Sequence, residues 1–221
     1  MAVNTNPPHY IARGRRRART HEHILEVSAD LLYRSGIQQV SMDDVAAAAG
    51  VTKATLYKHF ESKDKLVSAC LTEVDRKHFD WFVDQAAKRT GGSASALQAI
   101  FLVLDQWFNS SAFKGCAFIN AAIQLPNQLH PAYLAVLNHK QRTREWLLSL
   151  ALAEGFDGPT ARRLSSYLMI LMEGAIITAL VQNDLDAGRQ AGEAAAILVE
   201  RYQSQHLRDR YEQPGQIRPD A

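Results

Sequence analysis

The sequence predicts an all-α chain of two helical units, and three observations lead to that class. Apolar residues recur at helical spacing through most of the 221 residues, capping and stop signals bracket these stretches, and no alternating strand pattern competes with them. With 47% hydrophobic and 22% charged residues the chain has the composition of a globular protein, and its length allows two cores.

The first helix is expected in "THEHILEVSADLLYRSG", where Ile24, Leu25, Ala29, Leu31 and Leu32 share a face, Thr20 serves as cap and Gly36 as stop. Ahead of it, residues 1–18 are expected to form a disordered basic arm. Ser41 with Asp44 three residues on is a capping-box signal, with Asp where Glu or Gln is usual, for a second helix over 42–49 that Gly50 ends. Thr52 caps a third helix reaching about residue 60, and Ser62 restarts a long helix to about residue 88. "GGSAS" at 91–95 reads as a turn or linker. Helices are then expected near 96–109, 116–125, 131–154, 160–183 and 186–205, and residues 206–221 as a flexible tail.

Several classes of protein are disfavoured. Cys70 and Cys116 fit no disulfide or metal spacing, and the arginine-rich N-terminus is not followed by the apolar core of a signal peptide, which points to a cytoplasmic protein. The longest apolar stretch, 168–181, is shorter than the roughly 20 residues that span a bilayer and is broken by Glu173 and Gly174, so it predicts a buried helix. Among eight histidines, His21 and His23 are too close to share a helix face. No nucleophile elbow, phosphate loop or zinc-binding helix pattern is present, so no catalytic residue, metal or cofactor is expected. A helical enzyme without a recognisable motif is one alternative. A membrane-surface protein anchored by its arginines is another, but the large apolar face and lipidation signal that should accompany such an anchor are missing.

The charge is unevenly spread. Residues 1–65 carry ten Lys and Arg against seven Asp and Glu, and residues 66–221 carry fifteen against sixteen. Within the basic part, Arg13, Arg15, Arg16, Arg17 and Arg19 crowd into seven residues that attract polyanions. Downstream, two short helices joined by a glycine turn make a helix-turn-helix pattern, whose second helix enters the major groove of DNA. Ala46 lets the helices approach, Gly50 supplies the turn, and Val45, Val51 and Leu56 point to a core. Lys53, Thr55, Tyr57, Lys58 and His59 are left facing outward. A helical hairpin in any bundle would show the same glycine and alanines.

The words of the sequence go further. "GVTKATLYKHFESKDKL", preceded by "LLYRSGIQQVSMDDVAAAA", closely resembles the N-terminal domain of the TetR family of bacterial transcriptional repressors, over about residues 20–70. "KGCAFINAA" at 114–122 resembles a Gly-Cys segment found in one branch of these regulators. The resemblance implies a DNA-binding domain over 19–65 and a ligand-binding and dimerisation domain over 66–205. It implies that Thr52, Lys53, Ala54 and Thr55 stand at the front of the recognition helix, with Tyr57, Lys58 and His59 on its outward face, Tyr57 and His59 bonding phosphates. Because Phe60 is adjacent, His59 is also expected to pack partly against the fourth helix. Ser41, Met42 and Lys63 would offer donors to further phosphates, and the arginines would track the backbone or enter the adjacent minor groove. The implied partners are a near-palindromic operator in double-stranded DNA, a second copy of the chain, and a small apolar or aromatic ligand. Trp107, Phe118, Asn120, Gln124, Tyr133, Trp146, Tyr167, Met172 and Glu173 are the candidate ligand residues, with Glu173 equally able to pair with an arginine. The dimer is expected through Gly174, Ala175, Ala179, Ala191, Ala194 and Ala195 in the last two helices.

Overall fold

The computed structural model describes residues 9–90 and 95–211, with side chains for 17–90 and 95–205. The described residues form α1 (His9–Ser35), α2 (Met42–Ala48), α3 (Lys53–His59), α4 (Lys63–Arg89), α5 (Ala96–Phe108), α6 (Ala117–Gln124), α7 (Tyr133–Ala153), α8 (Gly158–Gln182) and α9 (Ala187–Tyr211). The chain divides into two compact units, residues 1–78 with 116–139, and residues 79–115 with 140–221.

Two boundaries differ from expectation. α1 begins at His9 rather than at Thr20, so residues 9–18 of the expected arm are helical. Arginine and alanine are strong helix formers, and the run extends the helix. α9 likewise continues to Tyr211, past the expected end at 205. Residues 1–8, 91–94 and 212–221 lie outside the described residues.

Local chemistry explains the first unit. Ser41 caps α2 through a reciprocal box, its hydroxyl accepting from the Asp44 amide at 3.1 Å while the Asp44 carboxylate accepts from the Ser41 amide at 2.8 Å. α2 closes with Gly50 at φ +63°: the Gly50 amide donates to the Ala47 carbonyl and the Val51 amide to the Ala46 carbonyl, a pairing that satisfies two carbonyls at the helix end. Thr52 then caps α3 by accepting from the Thr55 amide. The turn leaves Val45 and Leu56 buried with Ile24, Val40, Phe60 and Leu66, while Val51 is only partly covered. His23 adds a long-range tie by donating from Nε2 to the Ala49 carbonyl, 3.1 Å away, at the end of α2.

α6 and the start of α7 belong to this first unit, so the compact grouping departs from the expected division at residues 65 and 66. Gln124 is one reason. Its side-chain oxygen accepts from the Ile37 amide at 2.6 Å, and its main-chain carbonyl accepts from the Gln38 side chain at 2.5 Å. Gly36, at φ +87°, leaves room for this contact, since a Cβ there would come within 2.9 Å of the Gln124 oxygen. Gln124, expected to orient a ligand, instead braces the α1–α2 turn. His130 reaches Asp64 at 3.2 Å, and His139 reaches Asp75 at 2.7 Å with its ring stacked on Phe118.

In the second unit, α5 packs against α8 and α9, and α8 against α9. Leu97, Ile100, Leu104, Leu147, Leu164 and Leu168 are fully buried. By length and composition α8 is the one helix among the described residues that could cross a membrane, but Leu164, Leu168, Met169, Met172, Ala175, Ile176 and Ala179 are buried within the protein. The approach of α9 to α5 is especially close: a Cβ on Gly188 would meet the Asp105 amide nitrogen at 2.7 Å, and one on Gly192 would meet the Phe101 Cβ at 3.0 Å.

Two substitutions probe these contacts. Gly188→Ala forces α9 away from backbone that cannot yield and is expected to lower stability by about 1–3 kcal/mol in denaturant melts. Gln124→Ala strands the Ile37 amide and is expected to cost about 1–3 kcal/mol and to speed exchange of that amide hydrogen, whereas Gln124→Glu, which keeps the acceptor oxygen, preserves its protection.

Candidate nucleic-acid interface

The outward face of α3 is built by its buried one. Leu56 is fully buried, which turns Lys53, Ala54, Tyr57 and Lys58 toward solvent on the opposite side. Tyr57 is 42% exposed, unusually bare for a large aromatic side chain, and its ring and hydroxyl are available to a partner.

Several of the expected contact residues already have partners in the free protein. The Lys53 ammonium lies 2.8 Å from the Asp43 carboxylate of α2, and this bond and charge hold the Lys53 pKa above its ordinary value. The Thr55 and Thr52 hydroxyls are 2.8 Å apart and complete the cap, so the Thr55 side chain is only partly exposed. The Ser41 hydroxyl donates to the Asp44 carboxylate at 2.6 Å, and bonds from Ser41 keep the Asp44 pKa below the usual carboxylate range. The Met42 side chain is buried, which leaves only its main chain for a phosphate. Lys63 is partly exposed at the start of α4.

His59 has α1 beside it. Its ring lies 5.6 Å from that of His21, which in turn stacks on Phe60 at 4.7 Å. Arg17 and Arg19 are exposed near the start of α1, and the Arg17 guanidinium donates to the Lys58 carbonyl at 3.5 Å. The side chains of Arg13, Arg15 and Arg16 lie outside the described residues, although their backbone belongs to α1. His21 and Asp43 were missed as parts of this surface. His21 stands four residues from Arg17, a spacing that signals a shared face only once the helix is known to begin before Thr20.

The expected ligand residues are divided between the two units. Phe118, Asn120, Gln124 and Tyr133 lie in the first unit, and Trp107, Trp146, Tyr167, Met172 and Glu173 in the second. Trp107 packs against Phe108 and Phe113, and Trp146 against Phe79 and Phe82. Phe118 and Met172 are buried, Asn120 and Tyr133 are partly covered, and Tyr167 is 40% exposed. Glu173 pairs with Lys140 at 2.8 Å, a lysine where an arginine was the alternative. Burial pushes the Cys70 thiol pKa up to about 12, which makes it a core residue rather than a reactive one. Among the described residues no group of His, Cys, Asp and Glu side chains is arranged to hold a metal ion.

Two short helices at a glycine turn, the second exposing lysines and a tyrosine beside a basic helix start, define a helix-turn-helix DNA-binding protein. Comparison with known proteins agrees. Residues 24–70 match the family model for bacterial regulatory proteins of the tetR family. MftR of Mycobacterium tuberculosis is 41% identical over 59 residues, 27% of this chain and only 30% of that protein. The HTH-type transcriptional regulator AcrR of Shigella flexneri is 24% identical over 194 residues, covering 83% of this chain and 89% of AcrR. A crystal structure of a TetR-family transcriptional regulator from Streptomyces coelicolor superposes with a TM-score of 0.72 at 26% identity, covering 84% of this chain and 96% of that one. Residues 24–70 are a DNA-binding domain of the tetR family of bacterial regulatory proteins, and the chain is a DNA-binding transcriptional regulator.

Proposed function

We propose that the protein is a cytoplasmic, dimeric repressor that grips a near-palindromic operator through α3 and the start of α1, and that a small apolar or aromatic ligand relieves repression. The exposed row Lys53, Ala54, Tyr57 and Lys58, held rigid by buried Leu56, carries the DNA-binding part. Tyr57, Lys58, His59, Ser41 and Lys63 contact phosphates, Lys53 and Ala54 meet base edges, and Arg13, Arg15, Arg16, Arg17 and Arg19 follow the backbone. Repression is supported by the name of a similar protein, the HTH-type transcriptional repressor KstR2 of Mycobacterium tuberculosis, 25% identical over 62% of this chain.

Support for a dimer comes from α8. Tyr167, Ile170, Gly174, Ile177 and Val181 recur at helical spacing and are all exposed, as is Ile197 on α9. The small residues expected at the interface behave differently: Ala175, Ala179, Ala191 and Ala195 are buried within the chain. The apolar stripe on α8 therefore covers the interface in place of the alanines, and a two-fold dimer requires a two-fold operator. The rings around Trp107 and Trp146 and the buried Met172 favour an apolar or aromatic ligand.

A duplex selected by the protein from a random-sequence pool tests the proposal. Tyr57→Phe is expected to keep the wild-type melting temperature and to weaken binding by on the order of 1 kcal/mol through one lost phosphate bond. Lys53→Ala should shift sequence preference rather than weaken all duplexes equally. Wild-type affinity and preference in both variants would contradict the assignment of α3.

A further inference from the structure

The first half of α1 and the end of α3 flank an open groove of about 440 Å³, lined by Arg17, Ala18, His21, Glu22 and His59. Three side chains able to carry positive charge converge there from two helices. The imidazoles of His21 and His59 stand 5.6 Å apart, Phe60 supports His21 from behind at 4.7 Å, and the bond from Arg17 to the Lys58 carbonyl brings its guanidinium to the same place. A groove of this size fits a tetrahedral dianion or a phosphodiester group, and such a group can accept hydrogen bonds from a guanidinium and two imidazoles together.

We infer that this groove seats one backbone phosphate of the bound duplex, that His21 is a phosphate-binding residue beside Arg17 and His59, and that His59 takes up a proton when the phosphate enters. This rests on the DNA-binding function just proposed. The charged and titratable groups facing the rings are Arg17, His21 and Glu22 from α1 and His59 from α3, with the Lys58 carbonyl beside them; no charged residue of α2 or α4 lines the groove among the described residues. In the free protein burial, and then the neighbouring His21 and Arg17, lower the His59 pKa below the ordinary histidine value, so the ring is neutral at neutral pH. A phosphate reverses the balance, because an anion beside an imidazole favours its charged form. The complex therefore binds more protons than its separated components. By linkage, affinity rises as pH falls from the raised His59 pKa of the complex toward its lowered value in the free protein.

The test measures dissociation constants for the selected duplex at fixed ionic strength between about pH 8 and about pH 6. Wild-type protein is expected to bind more tightly toward acid, by at most about tenfold per pH unit for each proton taken up. His21→Gln and His59→Gln should each reduce that slope. His21→Arg, which keeps a donor at the seat, should bind more tightly than His21→Gln, and it keeps the test alive if the glutamine variant folds poorly. NMR titration of the ring protons should show the His59 pKa rising when the duplex is added. A slope that His21→Gln and His59→Gln leave unchanged, with a His59 pKa indifferent to DNA, overturns the phosphate seat. Failure of the wild-type protein to bind any duplex at any pH overturns the DNA-binding function itself, and the two failures cannot be confused.

Discussion

The left-handed turn at Gly50 is the constraint on which the DNA-facing surface depends. Most other residues at φ +63°, Asn and Asp excepted, cost about 1–2 kcal/mol in steric strain, and a helical residue there would let α2 run on into α3. With the turn in place, Val51 and Gly50 return hydrogen bonds to the end of α2, Thr52 opens α3, and Leu56 drops into the core. The orientation of Lys53, Tyr57 and Lys58 then follows from helical geometry alone. His23, bonded to the Ala49 carbonyl, and Gln124, bonded to Ile37 and Gln38, hold the two flanks of the same motif. A pair of short helices becomes a rigid reading head because its ends are tied from outside.

The second unit meets a different constraint. Close packing of α9 on α5 is possible only because Gly188 and Gly192 lack side chains, and the apolar content of α8 is divided between a buried face and an exposed stripe. Burying that stripe against a second copy would remove Ile170, Ile177 and Val181 from water, and each large aliphatic side chain so covered contributes roughly 1.5–3 kcal/mol. The buried face accounts for part of the apolar content of this membrane-like helix, and the proposed dimer would account for the rest.

What the sequence made legible was local. Caps at Ser41 and Thr52, the stops at Gly36 and Gly50, and the periodicity of Ile24, Val45 and Leu56 depend on residues within a turn or two of one another, and α2, α3 and the end of α1 stand where the pattern placed them. What escaped was long-range. Gln124 pairs with Ile37 across 87 residues, so an amide in an apolar stretch looked like a ligand group when it was a brace. Alanines that looked like a subunit contact pack within the chain, because small residues signal close approach without naming the partner. His21 was invisible as part of the α1–α3 groove because its relation to Arg17 requires α1 to extend through the arginine run, a continuation that only the propensity of arginine and alanine favours.

The central claim is that α3, together with the start of α1, is the surface that meets DNA. Backbone amide hydrogen exchange with and without the selected duplex tests it directly. Slowed exchange confined to α1, α3 and the turns around Gly50, with α8 and α9 unchanged, is the predicted result; protection of α8 and α9 with α3 unaffected would contradict it.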